Sequence, residues 1–155
     1  MHIRRAAPAD VVMLTALSLT SKAYWGYDAA FMTRVASSFE VTPDYVTRWP
    51  VYVLMDGDEA AGFYGFRAVG DETFLYDMWL KPAYIGRGLG RMLWRHALQT
   101  AREAGYDRFK IESDPNAERF YIRMGASRVG EITSKDSGRV LPLLEVVTYP
   151  QGDSS

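Results

Sequence analysis

At 155 residues, 48% of them apolar and 24% charged, with a formal net charge of −1, the chain has the make-up of one soluble globular domain. Near-neutrality without any Lys/Arg block argues against nucleic acid or a membrane surface as a partner, no apolar run approaches the ~20 residues of a membrane span, and the N-terminus carries no secretory pattern. The absence of cysteine excludes disulfides, thiolate zinc sites and a cysteine nucleophile, and two histidines (His2 and His96) leave little for a metal centre, so no metal is expected and the expected compartment is the cytoplasm.

His2–Arg5 reads as a short strand, stopped by Ala6-Ala7-Pro8. A helix is expected from Pro8 to about Lys22, with Pro at its first turn, Asp10 at its positive end and Val11, Leu14, Leu17 and Leu19 as its apolar side. Tyr24-Trp25-Gly26-Tyr27 interrupts it, Asp28 caps a second helix through roughly Phe39, and Thr42-Pro43-Asp44 opens a brief helical turn. From Val51 the apolar period changes to two: Val51–Met55, Ala60–Val69 and Thr73–Leu80 are strands joined by Asp56-Gly57 and Gly70-Asp71-Glu72, an antiparallel meander. Gly62 and Gly65 inside the middle strand call for a bulge or a close backbone approach.

A glycine-rich turn, Gly86-Arg87-Gly88-Leu89-Gly90-Arg91, then opens a helix from about Gly88 to Ala104. Leu89, Leu93, Ala97 and Ala101 form its apolar stripe, flanked by Met92 and Leu98, and Gly105 fits the left-handed position after its end. Arg108–Ser113 is a strand, Asp114-Pro115 reads as cap and first-turn proline of a helix to Met124, and two closing strands span Ala126–Glu131 and Arg139–Thr148. Tyr149–Ser155 has the composition of a frayed tail, so a single domain is expected over residues 1–149 with the tail at 150–155. The order of elements predicts the α+β class, a mixed sheet with helices on both faces.

The glycine turn carries the functional argument. A helix opened by glycine leaves backbone N–H groups unpaired at the positive end of its dipole, which makes an anion site. Arg87 and Arg91 oppose that dipole, and no Ser/Thr/Asp/Asn cap offsets them, so an anion between them accounts for the arrangement; the stretch reads as a pyrophosphate cradle. A P-loop ends in Gly-Lys-Ser/Thr, whereas Gly90 is followed by Arg91-Met92. The dinucleotide fingerprint G-x-G-x-x-G also fails, at Arg91 and at Leu93.

The remaining arrangement, strand–Pro82–x–x–x–Gly86–x–Gly88–x–Gly90–helix, resembles the acyl-CoA motif of the GCN5-related N-acetyltransferase (GNAT) superfamily. A second signature supports it: Asn116-Ala117-Glu118-Arg119-Phe120-Tyr121 with Met124-Gly125-Ala126. The resemblance covers nearly the whole chain and is not specific for a substrate. Three positions depart from the family pattern: Ile85 where Gln or Arg is usual, Tyr76 where a glutamate is frequent, and Asp114 where an Asn commonly precedes the tyrosine by seven residues.

The resemblance implies acetyl-CoA as donor. Backbone groups of Met78, Trp79 and Leu80, on a strand splayed at a bulge, would pair with its pantetheine arm like an added strand. Amides of Gly86, Arg87, Gly88, Leu89, Gly90 and Arg91 would hold the pyrophosphate, with Asn116 and Phe120 bordering the thiol end. It also makes a homodimer reasonable. The implied reaction is direct acetyl transfer to a primary amine of a small molecule, with two alternatives: a protein or peptide amine as acceptor, or a non-catalytic acyl-CoA sensor.

Transfer from a thioester to an amine needs a neutral amine, a donor to the developing oxyanion and a proton for the leaving thiolate. Tyr121 is the candidate acid. A phenol of pKa about 10 against a thiol of about 8.5 makes the proton transfer uphill by ~2 kcal/mol, which a modestly lowered phenol pKa would remove. The Met78 N–H is the candidate oxyanion donor. For the base, Asp77, Glu112 and a residue acting through water stay open; Asp77 is expected to face away from Tyr76 by strand alternation. Tyr24, Trp25 and Tyr27 are either core aromatics or the lining of the acceptor pocket. Asp114 is either a helix cap or a ligand contact.

Overall fold

Seven strands lie in one mixed sheet in the computed structural model, which describes residues 1–149. They are β1 (His2–Arg5), β2 (Val51–Asp56), β3 (Glu59–Val69), β4 (Glu72–Leu80), β5 (Arg108–Glu112), β6 (Ser127–Thr133) and β7 (Val140–Val147). The α-helices are α1 (Val11–Ala23), α2 (Ala29–Val35), α3 (Pro43–Arg48), α4 (Leu89–Glu103) and α5 (Glu118–Arg123). Across the sheet the order is β1-β2-β3-β4-β5-β7-β6, and every neighbouring pair is antiparallel except β4 with β5. The class is α+β, as the element order predicts. No helix among the described residues is long and apolar enough to cross a membrane. The tail expected at 150–155 lies outside the described residues.

Alternation along β3 sends side chains to two cores. Tyr64 and Phe66 join Leu89, Leu93, Ala97 and Ala101 of α4 on one face; Phe63 joins Val51 and Val53 with Leu14, Leu17, Tyr45 and Val46 of α1 and α3 on the other. Buried Trp94 extends the α4 stripe, while Met92 is exposed rather than flanking the core. The caps read from sequence at Asp28 and Thr42 form: their side chains accept from Phe31 N and Tyr45 N. Pro8–Asp10 is a 3-10 turn leading into α1 rather than its first turn, because Asp10 is drawn back to Arg4 and the Ala7 amide. The second helix likewise tightens to 3-10 over Ala36–Phe39.

The largest boundary difference concerns Asp114-Pro115. The helix begins only at Glu118, and residues 115–117 form a turn. The Asp114 carboxylate does accept from the Asn116 amide, as a capping residue does, but it also binds Lys22 and the Tyr27 hydroxyl, which holds it off the helix axis.

Two features of the central strands open the site. A Cβ at Gly62 would stand 2.5 Å from the Trp79 carbonyl oxygen, and one at Gly65 would stand 1.9 Å from the Tyr45 hydroxyl, so both glycines mark close approach. Opposite Gly65 and Phe66 the register shifts, leaving Tyr76 as an extra residue in β4. Beyond it β4 separates from β5: the two strands share a single bridge, Phe74 with Lys110. A wedge is left between the C-terminal ends of two parallel strands.

Candidate active site

The wedge leads into a cavity of about 890 Å³ that runs from the glycine turn, along the free edge of β4, to α2 and the β6–β7 connection. At its first end, Gly86 (φ +83°) and Gly88 (φ +77°) adopt the left-handed conformation that only glycine takes without strain. A Cβ at either would meet nothing within 4 Å, so the turn faces open space instead of its own side chains. Gly88 is the cap residue of α4 and supplies no side-chain hydrogen bond, and Gly90 lies against the Phe120 ring, at 3.3 Å from where its Cβ would be. The first turn of a 15-residue helix therefore points bare amides into the cavity. Arg91 lines this end; Arg87 stacks over the Tyr84 ring at 5.1 Å.

Met78, Trp79 and Leu80 line the middle. Their free edge is available for pairing up to Leu80, whose carbonyl already accepts the Ser21 hydroxyl at 3.0 Å. Phe120, Asn116, Asp114 and Tyr121 form the opposite wall. Tyr121 is 7% exposed, and burial first, then Asp77 and Asp114, raise its phenol pKa. That is the reverse of the lowering that would ease proton transfer.

Asp77 stands behind the wall. Its carboxylate accepts from the Trp79 indole at 2.8 Å, and burial pushes its pKa up against that bond. The expectation that Asp77 and Tyr76 face opposite sides fails at the bulge, which breaks strict alternation. The Tyr76 ring lies 5.7 Å from that of Tyr45, and the Tyr45 hydroxyl is also close enough to Asp77 to be raised by it. Tyr45 Oη is buried and makes no hydrogen bond of good geometry. Glu112, by contrast, lines the cavity from an exposed position at the end of β5; partial desolvation there and the nearby Asp136 raise its carboxyl, while Lys135 opposes them.

Of the aromatics at the end of α1, Trp25 lines the cavity; Tyr24 is exposed and packs edge-on against it at 5.3 Å. Tyr27 serves from behind, stacked on Phe31 at 4.4 Å and donating its hydroxyl proton to Asp114 at 2.9 Å. Asn116 Nδ2 donates to Asp114 at 2.8 Å and to the Tyr27 hydroxyl at 3.2 Å.

Lys22 completes this cluster and escaped the sequence reading. It is 7% exposed, ion-paired with Asp114, and its ammonium lies 4.6 Å from the Tyr27 ring centre. Burial works to raise the Asp114 carboxyl, but Lys22, the Asn116 amide and Tyr27 outweigh it and hold it below the usual range. A lysine in the last turn of a helix suits the dipole wherever it points, so nothing local marks this one as buried. Arg139, just before β7, is a further lining residue that the sequence does not single out.

Comparison with known proteins agrees with this geometry. Residues 20–126 match the acetyltransferase (GNAT) family, and the chain belongs to that family. It is an N-acetyltransferase, of a family whose donor is acetyl-CoA. The chain is 31% identical over 112 residues to the peptidyl-lysine N-acetyltransferase YjaB of Salmonella typhimurium, covering 72% of each protein. Among solved structures, the PaiA N-acetyltransferase of Thermoplasma acidophilum in complex with coenzyme A superposes with a TM-score of 0.76 at 16% identity, covering 94% of this chain and 98% of that one. YncA of Salmonella typhimurium, solved with acetyl-CoA, superposes with a TM-score of 0.67 at 20% identity over 100% and 98% of the two chains.

Proposed function

We propose that the protein transfers the acetyl group of acetyl-CoA directly to a primary amine of a small molecule. The observation that carries this reading is the continuity of one cavity from the bare amides at Gly86–Arg91 to the Tyr121 phenol. Acetyl-CoA supplies an activated acyl carbon on a thiol leaving group. The chain's own residues do the rest. Amides of the glycine turn bind the pyrophosphate, and Met78–Leu80 align the pantetheine arm along the free strand edge. The Met78 N–H stabilises negative charge on the acyl oxygen. Glu112, with its raised carboxyl pKa, takes the proton from the ammonium so that the amine attacks neutral, and Tyr121 donates to the sulfur as the C–S bond breaks. A raised phenol pKa need not defeat this last step, because burial raises the thiol as well and so keeps the two matched.

The acceptor end supports a small molecule. The β6–β7 connection lies against it, Arg139 stacking on the Tyr27 and Phe31 rings at 4.8 and 5.5 Å, and Trp25, Phe31 and Phe39 give this end an aromatic lining. A peptide lysine is the second reading, favoured by the named activity of the Salmonella relative. The same proposal puts the protein in the cytoplasm as a homodimer; a mass near the 17.5 kDa of one chain at micromolar concentration contradicts the pairing.

The test is an acetyl-CoA titration, followed by transfer assays over small amines and lysine peptides side by side. Binding that is lost in Gly88→Val, with transfer favouring small amines, supports the proposal. Transfer to peptides alone supports the second reading, and binding without any transfer identifies a sensor.

A further inference from the structure

The half of the cavity away from the glycine turn holds a cation that the transfer reaction leaves unused. Arg139 is half-buried and lines the cavity, yet no carboxylate lies within ion-pairing distance of it among the described residues. The neighbouring acids are each turned elsewhere. Asp136, three residues before it, takes hydrogen bonds from Ser134 and Ser38, which hold its pKa low against burial. Asp114 takes Lys22, Tyr27 and Asn116. Glu112 responds to Lys135 and Asp136. What Arg139 has instead are the faces of Tyr27 and Phe31 and the neighbouring Tyr27 hydroxyl, whose ionised form it favours. Stacking uses the plane of a guanidinium, and one hydroxyl neighbour occupies only part of its five N–H donors; the remainder form a fork that matches a carboxylate.

The surroundings are as informative as the charge. Phe31, Phe39, Val35, Trp79 and Leu141 line the same end, with Phe39 edge-on to Trp79 at 5.3 Å. A half-buried guanidinium in an apolar wall is an expensive arrangement unless an anion meets it. The cavity thus offers a carboxylate, Glu112, where an ammonium is to be deprotonated, a guanidinium with no carboxylate partner, and apolar side chains in the same lining.

We propose that the acceptor is a small amino carboxylate with an apolar or aromatic body, its carboxylate bound by Arg139 while its amine faces Glu112 and the thioester. This rests on the acetyltransferase reading and adds the substrate class to it. Arg139 is then a specificity residue and takes no part in proton transfer.

The experiment separates binding from turnover. Protein saturated with coenzyme A is titrated with N-acetylphenylalanine, which has the form of a product, and with its neutral carboxamide, following tryptophan fluorescence. The acid is expected to bind about tenfold or more tighter than the amide in the wild type. Arg139→Gln is expected to abolish that preference, weakening the acid and leaving the amide unchanged, with Arg139→Lys between the two; thermal melts of both variants establish that they are folded. Equal binding of acid and amide by the wild type, an unaltered preference in Arg139→Gln, or no binding of either compound at millimolar concentration each overturn the proposal. A parallel assay with phenylalanine and its decarboxylated analogue phenethylamine keeps the two readings apart. Equal transfer to both removes the carboxylate requirement and leaves the acetyltransferase standing. Failure to bind acetyl-CoA removes the acetyltransferase itself.

Discussion

The proposed transfer gives Tyr121 and Glu112 opposite duties, and the environment shifts both pKa values upward. For a base, a raised pKa moves the acidic limb of the activity profile to higher pH, since the group must be ionised to act. Comparing wild type with Glu112→Gln on one acceptor cancels the acceptor's own titration. The variant is expected to lose about 100-fold in kcat/KM and to lose the limb that belongs to the carboxylate; a superimposable profile assigns the base elsewhere. Tyr121→Phe is expected to cost about 100-fold or more in kcat with coenzyme A affinity unchanged, because the phenyl ring keeps the packing against Trp94 and Phe120 while the proton source is gone. A third residue-scale prediction concerns stability. Gly65→Ala drives a methyl into the Tyr45 hydroxyl and is expected to destabilise by about 1–3 kcal/mol. Tyr45→Phe in the same chain is expected to recover part of it, because the hydroxyl is the nearest atom to the new methyl while the ring carbon that bears it still stands at 2.7 Å. Urea titrations of the four proteins provide the cycle.

At the scale of elements, the contact between α1 and the turn before α5 is what sets the site apart from its surroundings. Lys22 and Asp114 have side chains only 9% and 10% exposed and are each satisfied by the other. Asp114→Ala leaves an ammonium buried without its partner and is expected to destabilise by about 3 kcal/mol, whereas Lys22→Met combined with Asp114→Leu costs much less. The pH dependence has a definite sign. The folded carboxyl titrates below its unfolded value of about 3.9, so the stabilisation is complete above that pH and fades as the pH falls towards the folded value. Much at this scale was legible in the chain. The stripe Leu89, Leu93, Ala97, Ala101, the hairpin at Asp56-Gly57 and the caps at Asp28 and Thr42 are local signals, and local forces decide them. The start of α5 was misplaced, because Asp114 answers to Lys22, 92 residues away, and not to the helix that follows it. Tyr76 and Asp77 misled for a similar reason: alternation holds until a bulge, and that bulge depends on how β3 and β4 pair. Arg139 carries no motif at all; only the folding of one strand connection over α2 brings it into the cavity.

On the scale of the whole molecule, the sheet is two antiparallel sets, β1–β4 and β5–β7, meeting at Phe74 and Lys110. The two sets share one core through Phe66, Phe109, Ile111 and Leu144, but between their backbones the wedge leaves the edge of β4 beyond Tyr76 open to a ligand strand. Backbone amides along Met78–Leu80 are therefore expected to exchange with deuterium several-fold more slowly once coenzyme A is added, while those of β2, locked between neighbours on both sides, stay as they were. Uniform slowing throughout the sheet would instead mean that the ligand merely raises global stability. If the coenzyme lies in the wedge as proposed, the molecule borrows part of its architecture from what it consumes, and the rate at which that borrowed strand leaves sets an upper limit on turnover however fast the bond-making becomes.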